Sequence, residues 1–140
     1  RASGGTIVST AHEKMLEVME ERYPPGEWNI YGAQASDGDN HPKDNVNVED
    51  YLQKIMPKVQ AFFYTELLNE FSRRLGSSSA QDGLWDTIEK VSGDFPSKLF
   101  LGLIKDKPDI WPVFHEFFKK RESYDIEDRR VSAFEDPSFG

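Results

Sequence analysis

Between residues 51 and 75 the apolar side chains fall into one wide stripe: Tyr51, Leu52, Ile55, Met56, Val59, Phe62, Phe63, Leu67, Phe71 and Leu75. Recurrence at three- and four-residue steps marks an amphipathic helix with a broad buried face. The spacing predicts a long central helix over residues 48–75. Asn47 stands where a cap belongs, with Asp50 three residues on. Pro57 predicts a kink near the start. Arg73 and Arg74 suit the negative end of the helix dipole, and Gly76 suits a C-cap.

The rest of the chain is expected to pack around that helix. Thr10 and Glu13 form a capping-box pattern, followed by Met15, Leu16, Met19 and Tyr23 on one face. This predicts a first helix over 10–23, stopped by Pro24, Pro25 and Gly26. Residues 26–46 are polar and read as a long loop, pinned by Trp28, Ile30 and Tyr31. GSSSAQDG at 76–83 reads as a linker. Further helices are predicted at 84–91 and 95–106, with a short turn at 108–113 and an irregular charged tail from about residue 122. No strand-like alternation of useful length stands out. The expected fold class is all-α: a single helical domain over 1–140, with two helices in 1–75, the linker at 76–83 and a helical second half at 84–140. The expected core is Phe63, Leu67, Trp85, Phe100, Leu103 and Phe114.

Composition narrows the function. A formal charge of −8 opposes non-specific binding to nucleic acid and to anionic membrane surfaces. The apolar run at 99–104 is far short of the roughly 20 residues that a spanning helix needs. The N-terminal run RASGGTIVSTAHEK lacks the apolar core of a signal peptide. With no cysteine there is no disulfide, thiolate metal site or cysteine nucleophile, which is compatible with a cytoplasmic or other intracellular setting. No phosphate-binding glycine loop, G-x-S-x-G elbow or H-E-x-x-H pair is present. Asp37, Asp39, Asp44, Glu49 and Asp50 cluster, but His41 and Lys43 occupy positions where a calcium loop needs oxygen ligands. A solvated acidic loop is the simpler reading. No catalytic constellation emerges, so an enzyme is the weaker expectation.

The run from Leu84 to Phe114, LWDTIEKVSGDFPSKLFLGLIKDKPDIWPVF, resembles the A, B and C helices of the globin family. Trp85 stands fifteen residues before Phe100, as an A-helix Trp stands before a B-helix aromatic. Leu99, Phe100 and Leu103 match an L-F-x-x-L pattern, and Pro108-Asp109-Ile110 a C-helix start. Phe114, six residues after Pro108, falls at the C–D corner. The closing run from Phe134 to Phe139 resembles the approach to the E helix. Residues 1–75 would then correspond to G and H helices, an order that implies a circular permutation, as in androglobins, or a slice of tandem globin domains.

The resemblance implies haem b as cofactor, with Phe100 and Phe114 walling its pocket and His115 at the rim. His115 reads more simply as a surface or interface histidine, and His41 as a loop residue. His12 is the remaining candidate for an iron ligand, through a neutral ring nitrogen. The helices that carry the usual ligands have no counterpart here, so completing the fold would take a flanking segment or a protein partner. The functional expectation is a domain of the haem-binding, gas-binding or redox-sensing class. The alternative is a haem-free, acidic helical module for protein–protein interaction.

Overall fold

A computed structural model describes residues 7–68 and 83–135, with side-chain surroundings through residue 127. It corrects the all-α expectation. Three strands, β1 (Tyr31–Ser36), β2 (Ala61–Leu67) and β3 (Leu99–Ile104), form a parallel sheet in the order β1-β2-β3. Among the described residues four α-helices surround it: α1 (Val8–Arg22), α2 (Asn45–Ile55), α3 (Leu84–Asp94) and α4 (Ile110–Glu135).

The first and third predicted helices are present as α1 and α3. The predicted 48–75 helix divides. Its first part is α2, which buries Val48, Leu52 and Ile55. Pro57 then falls inside a 3-10 turn, Met56–Lys58, and the chain runs out into β2. A proline cannot donate the next helical bond, and the Ala-Phe-Phe-Tyr-Thr run beyond it favours an extended, pleated environment. The predicted 95–106 helix is β3, and α4 continues through the tail expected to be irregular. Residues 69–75 of the predicted helix, 76–82 of the linker and 136–140 lie outside the described residues.

Each connection between parallel strands carries a helix across the sheet. Helices α1, α2 and α3 lie on one face of the sheet. There Val8, Met19, Val48, Leu52, Ile55, Met56, Leu84, Ile88 and Val91 pack with Phe62, Tyr64 and Leu99 from the strands. Complete burial of an aliphatic side chain of this size contributes about 1.5–3 kcal/mol. The opposite face is aromatic: Phe63 of β2 stacks on Phe117 of α4 at 5.0 Å and on Phe100 of β3 at 5.9 Å. Gly102 brings α4 close. A Cβ at this position would stand 2.5 Å from Val113 Cγ1 and 2.9 Å from Phe117 Cζ.

Of the expected core, Phe63 and Phe100 are buried, while Trp85 and Phe114 are partly buried. Leu67 and Leu103 are both 42% exposed: they share faces with the buried Phe63 and Leu99, but stand toward the carboxyl ends of β2 and β3.

Candidate functional site: the acidic pole at the strand ends

The carboxyl ends of β1 and β2 meet the N-terminus of α1 at one pole of the molecule. In open parallel α/β sheets this is the end where ligands gather. The chain leaves β1 through Ser-Asp-Gly-Asp-Asn, a turn-forming run. Asp37 Oδ1 accepts from Asp39 N at 2.9 Å, and Ser36 Oγ accepts from Gly38 N at 3.1 Å. Gly38 has a φ of +83°, a left-handed conformation that glycine adopts without a Cβ penalty. A Cβ here would also meet the Glu66 carboxylate at 2.8 Å, so the turn lies directly against that group.

Helix α1 has no capping side chain of its own at Ile7. The loop supplies the cap from a distance. Asn40 Oδ1 accepts from Val8 N at 3.0 Å, and Asp44 Oδ2 accepts from Ser9 N at 2.9 Å. Ser9 Oγ donates to Asp44 Oδ1, and Asn47 Nδ2 donates to the same oxygen at 3.2 Å. Burial alone would raise the Asp44 carboxyl. The bonds from the Ser9 side chain and backbone, Asn47 and Asn40 outweigh it and hold the group below its ordinary value. The loop is thus not simply a solvated acidic segment: Asp37 and Asp39 are exposed, but Asp44 is buried and structural.

One turn into α1, His12 is only 3% exposed. Its Nε2 bonds Gln34 Oε1 of β1 at 2.8 Å, and its ring meets Phe62 edge-on at 6.2 Å. With Nε2 donating to the amide oxygen, Nδ1 remains a buried acceptor with no partner among the described residues. Burial pushes the imidazole below its ordinary value, against the opposing effects of the Gln34 bond and the Asp44 charge. Ser9, His12 and Asp44 do not form a nucleophile–base chain, since Ser9 donates to Asp44 and His12 to Gln34.

On the other side of Gly38, Glu66 Oε1 accepts from Tyr64 Oη at 2.9 Å. Burial raises the Glu66 carboxyl. The Tyr64 bond lowers it, and the neighbouring charges of Asp37 and Asp86 raise it again, leaving it above its ordinary value. Burial also raises the Tyr64 hydroxyl, with the Glu66 charge adding to the effect. Among the described residues no group of three His, Asp or Glu is arranged to hold a metal ion.

The haem-site candidates are dispersed. Phe100 and Phe114 share the aromatic cluster under α4, where the space between them is filled by Phe63 and Phe117. His115 is exposed, its ring 6.5 Å from that of Trp111. His12 lies across the sheet from all three. His41 is exposed and accepts from Lys43 N at 3.4 Å. Sequence reasoning missed Gln34, Asn40 and Glu66. The acidic cluster of Asp37, Asp39 and Asp44 was the local sign of this pole; the pairing of Asp44 with Ser9 spans 35 residues and leaves no local pattern.

Fold and pole together define a parallel α/β domain, covered by three helices on one face and partly by α4 on the other, with an acidic strand-end pole. The chain belongs to the family described as "Protein of unknown function (DUF444)", whose model matches residues 1–121. It is 41% identical over 122 residues to a UPF0229 protein of Teredinibacter turnerae, a match covering 86% of this chain and 27% of the relative. A UPF0229 protein of Azotobacter vinelandii is 45% identical over 122 residues, 86% of this chain and 27% of the relative. One from Vibrio parahaemolyticus is 43% identical over 119 residues, 84% of this chain and 26% of the relative. The chain therefore spans about a quarter of the length of the curated relatives it matches. No solved structure matches it.

This membership overturns the globin resemblance, and with it the haem and oxygen-binding assignments drawn from it. The parallel sheet gives the physical reason. The L-F-x-x-L run lies in a β-strand, and Phe100 faces α4 as one member of a packed sheet face.

Proposed function

We propose that this chain is a non-catalytic interaction module of a larger protein, and that its acidic pole receives a basic group carried by a protein partner. The observation that carries the reading is Glu66. A half-buried carboxyl is pressed against the Gly38 turn with Asp37 and Asp86 beside it, and no ion pair among the described residues neutralises it. Like charges gathered at a partly desolvated site repel one another, and a lysine or arginine from a partner relieves that repulsion. The net charge of −8 speeds encounter with a basic protein and opposes nucleic acid. Among the described residues no helix is long and apolar enough to cross a membrane. The proposal places the module in the cytoplasm or another intracellular compartment, as its cysteine-free composition allows.

The test is calorimetric titration with an arginine-rich peptide at two salt concentrations, on the native chain and on Asp37→Asn and Glu66→Gln. Binding that weakens with salt and drops at least about tenfold in the double variant, a loss of about 1.4 kcal/mol, supports the reading. Equal binding by native and variant chains refutes it. A parallel titration with haemin is expected to leave the Soret band of free haemin unchanged.

A further inference from the structure

The two outer strands of the sheet are finished differently. On β3, Leu99, Phe100 and Ile104 are all buried between α3 on one face and α4 on the other. Among the described residues, only one face of β1 is covered. Gly32 and Gln34 meet Phe62, Met15 and His12. On the other face Tyr31 is 57% exposed, and Ala33 and Ala35 are exposed beside it. Parallel sheets occur almost only with both faces covered, because their connections carry helices across them.

The backbone of β1 is equally unfinished. Phe62 N donates to Lys98 O at 2.7 Å and Leu68 N to Ile104 O at 3.0 Å, so Phe62, Tyr64 and Glu66 turn their backbone groups to β3. Ala61, Phe63 and Thr65, opposite Tyr31, Ala33 and Ala35, turn theirs to β1. The alternation of a parallel pair then turns the backbone groups of Tyr31, Ala33 and Ala35 away from β2. Natural edge strands are blunted by charge, proline or a bulge. Tyr-Gly-Ala-Gln-Ala-Ser carries no charge or proline, and its register with β2 runs without a slip from Tyr31 opposite Ala61 to Ser36 opposite Glu66.

The bare floor also has a wall. Ala33 stands beside Phe63 in the register, and the 57% exposed ring of Phe118 on α4 lies 5.3 Å from that of Phe63. Small residues below and an aromatic edge to one side form a trough of the kind a helix fills on a sheet. Nearly three-quarters of the Teredinibacter relative lies outside the matched region, which is ample chain to supply such an element.

We propose that in the full-length protein β1 is an interior strand. A strand-and-helix unit from the remainder of the same chain pairs with its free side and covers Tyr31, Ala33 and Ala35 alongside α4. This does not depend on the acidic pole having a basic partner.

Hydrogen exchange tests it on this chain and on the full-length Teredinibacter turnerae protein. In this chain alone the amides of Tyr31, Ala33 and Ala35 are expected to exchange at least about 100-fold faster than those of Gly32 and Gln34. At the aligned positions of the full-length protein the two sets should exchange alike. Persistence of the fast set there overturns the proposal. So does concentration-dependent protection of the fast set in this chain, which would make a second copy the occupant. As a second measurement, Ala33→Arg should leave the melting temperature of this chain unchanged, and the aligned substitution should lower that of the full-length protein. Indifference in both, or destabilisation of the short chain, also overturns it. Loss of arginine-peptide binding leaves each of these readings untouched.

Discussion

The two faces of the sheet solve the same problem with different materials. The face under α1, α2 and α3 is mainly aliphatic and sealed: Val48, Leu52, Ile55, Ile88 and Val91 have no exposure at all. The face under α4 is aromatic and half-covered. Phe63, Phe100 and Phe117 stack there, while Trp111 on the same helix is 76% exposed. Interlocked branched side chains on three helices close a surface from every side, so any lost atom leaves a cavity. Stacked rings beneath one helix hold that helix in place but leave an open flank into which it can shift.

Truncations should expose this contrast most strongly. Phe62→Ala, on the sealed face, is expected to cost about 3–5 kcal/mol in urea unfolding, and Phe114→Ala, partly solvated on the open face, distinctly less. Equal losses would break the contrast.

Added atoms probe the same difference at a smaller scale. A Cβ at Gly32 would stand 2.5 Å from Phe62 Cδ2 and 3.0 Å from Met15 Cε, and one at Gly102 would stand 2.5 Å from Val113 Cγ1. Overpacking costs about 1–3 kcal/mol. Thermal unfolding should place Gly32→Ala near the top of that range and Gly102→Ala near the bottom, because α4 can yield toward solvent. The reverse order would mean that α4 is the more tightly held layer.

The cap at the edge of the sealed face should matter less again. Asp44→Ala is expected to cost about 0.5–2 kcal/mol. In the native chain the Asp44 contribution is complete above the ordinary carboxylate value of 3.8 and is lost as pH falls through its lower folded value. His12 acts earlier. Its folded value lies below 6.5, so the unfolded chain takes up the proton first, and stability should fall as pH drops below 6.5. A urea midpoint flat from pH 7 to 5 in the native chain, or one that still declines to the same extent in His12→Gln, would remove His12 from this account. The smallest effect belongs to the open flank: Trp111→Ala should change stability by no more than about 0.5 kcal/mol.

How much of this was legible follows from which periodicity each segment carries. Helices α1 and α3 were readable because polar residues interrupt their apolar faces at helical steps. Strands β2 and β3 were not, because a parallel strand buried on both sides is a continuous apolar run, which fits a helical template as well as an extended one. Pro57 was the available signal. Taken as a stop instead of a kink, it separates α2 from β2. Strand β1 was hidden for the opposite reason, since Tyr-Gly-Ala-Gln-Ala-Ser has too few apolar residues to register as a strand. The long polar stretch was recognised as unusual, but its role depends on Asp44 meeting Ser9, and no local pattern announces a contact between distant residues.

That contact also orders events in time. Helix α1 has no cap of its own, and the atoms that satisfy its leading amides are synthesised 32 and 35 residues later. A peptide covering residues 7–23 should therefore be only weakly helical, since a segment this short is marginal in water even when well capped. During synthesis α1 emerges before its cap and remains unfinished. It becomes a stable helix only when the turn after β1 closes over its end, so an earlier segment of the nascent chain waits on a later one.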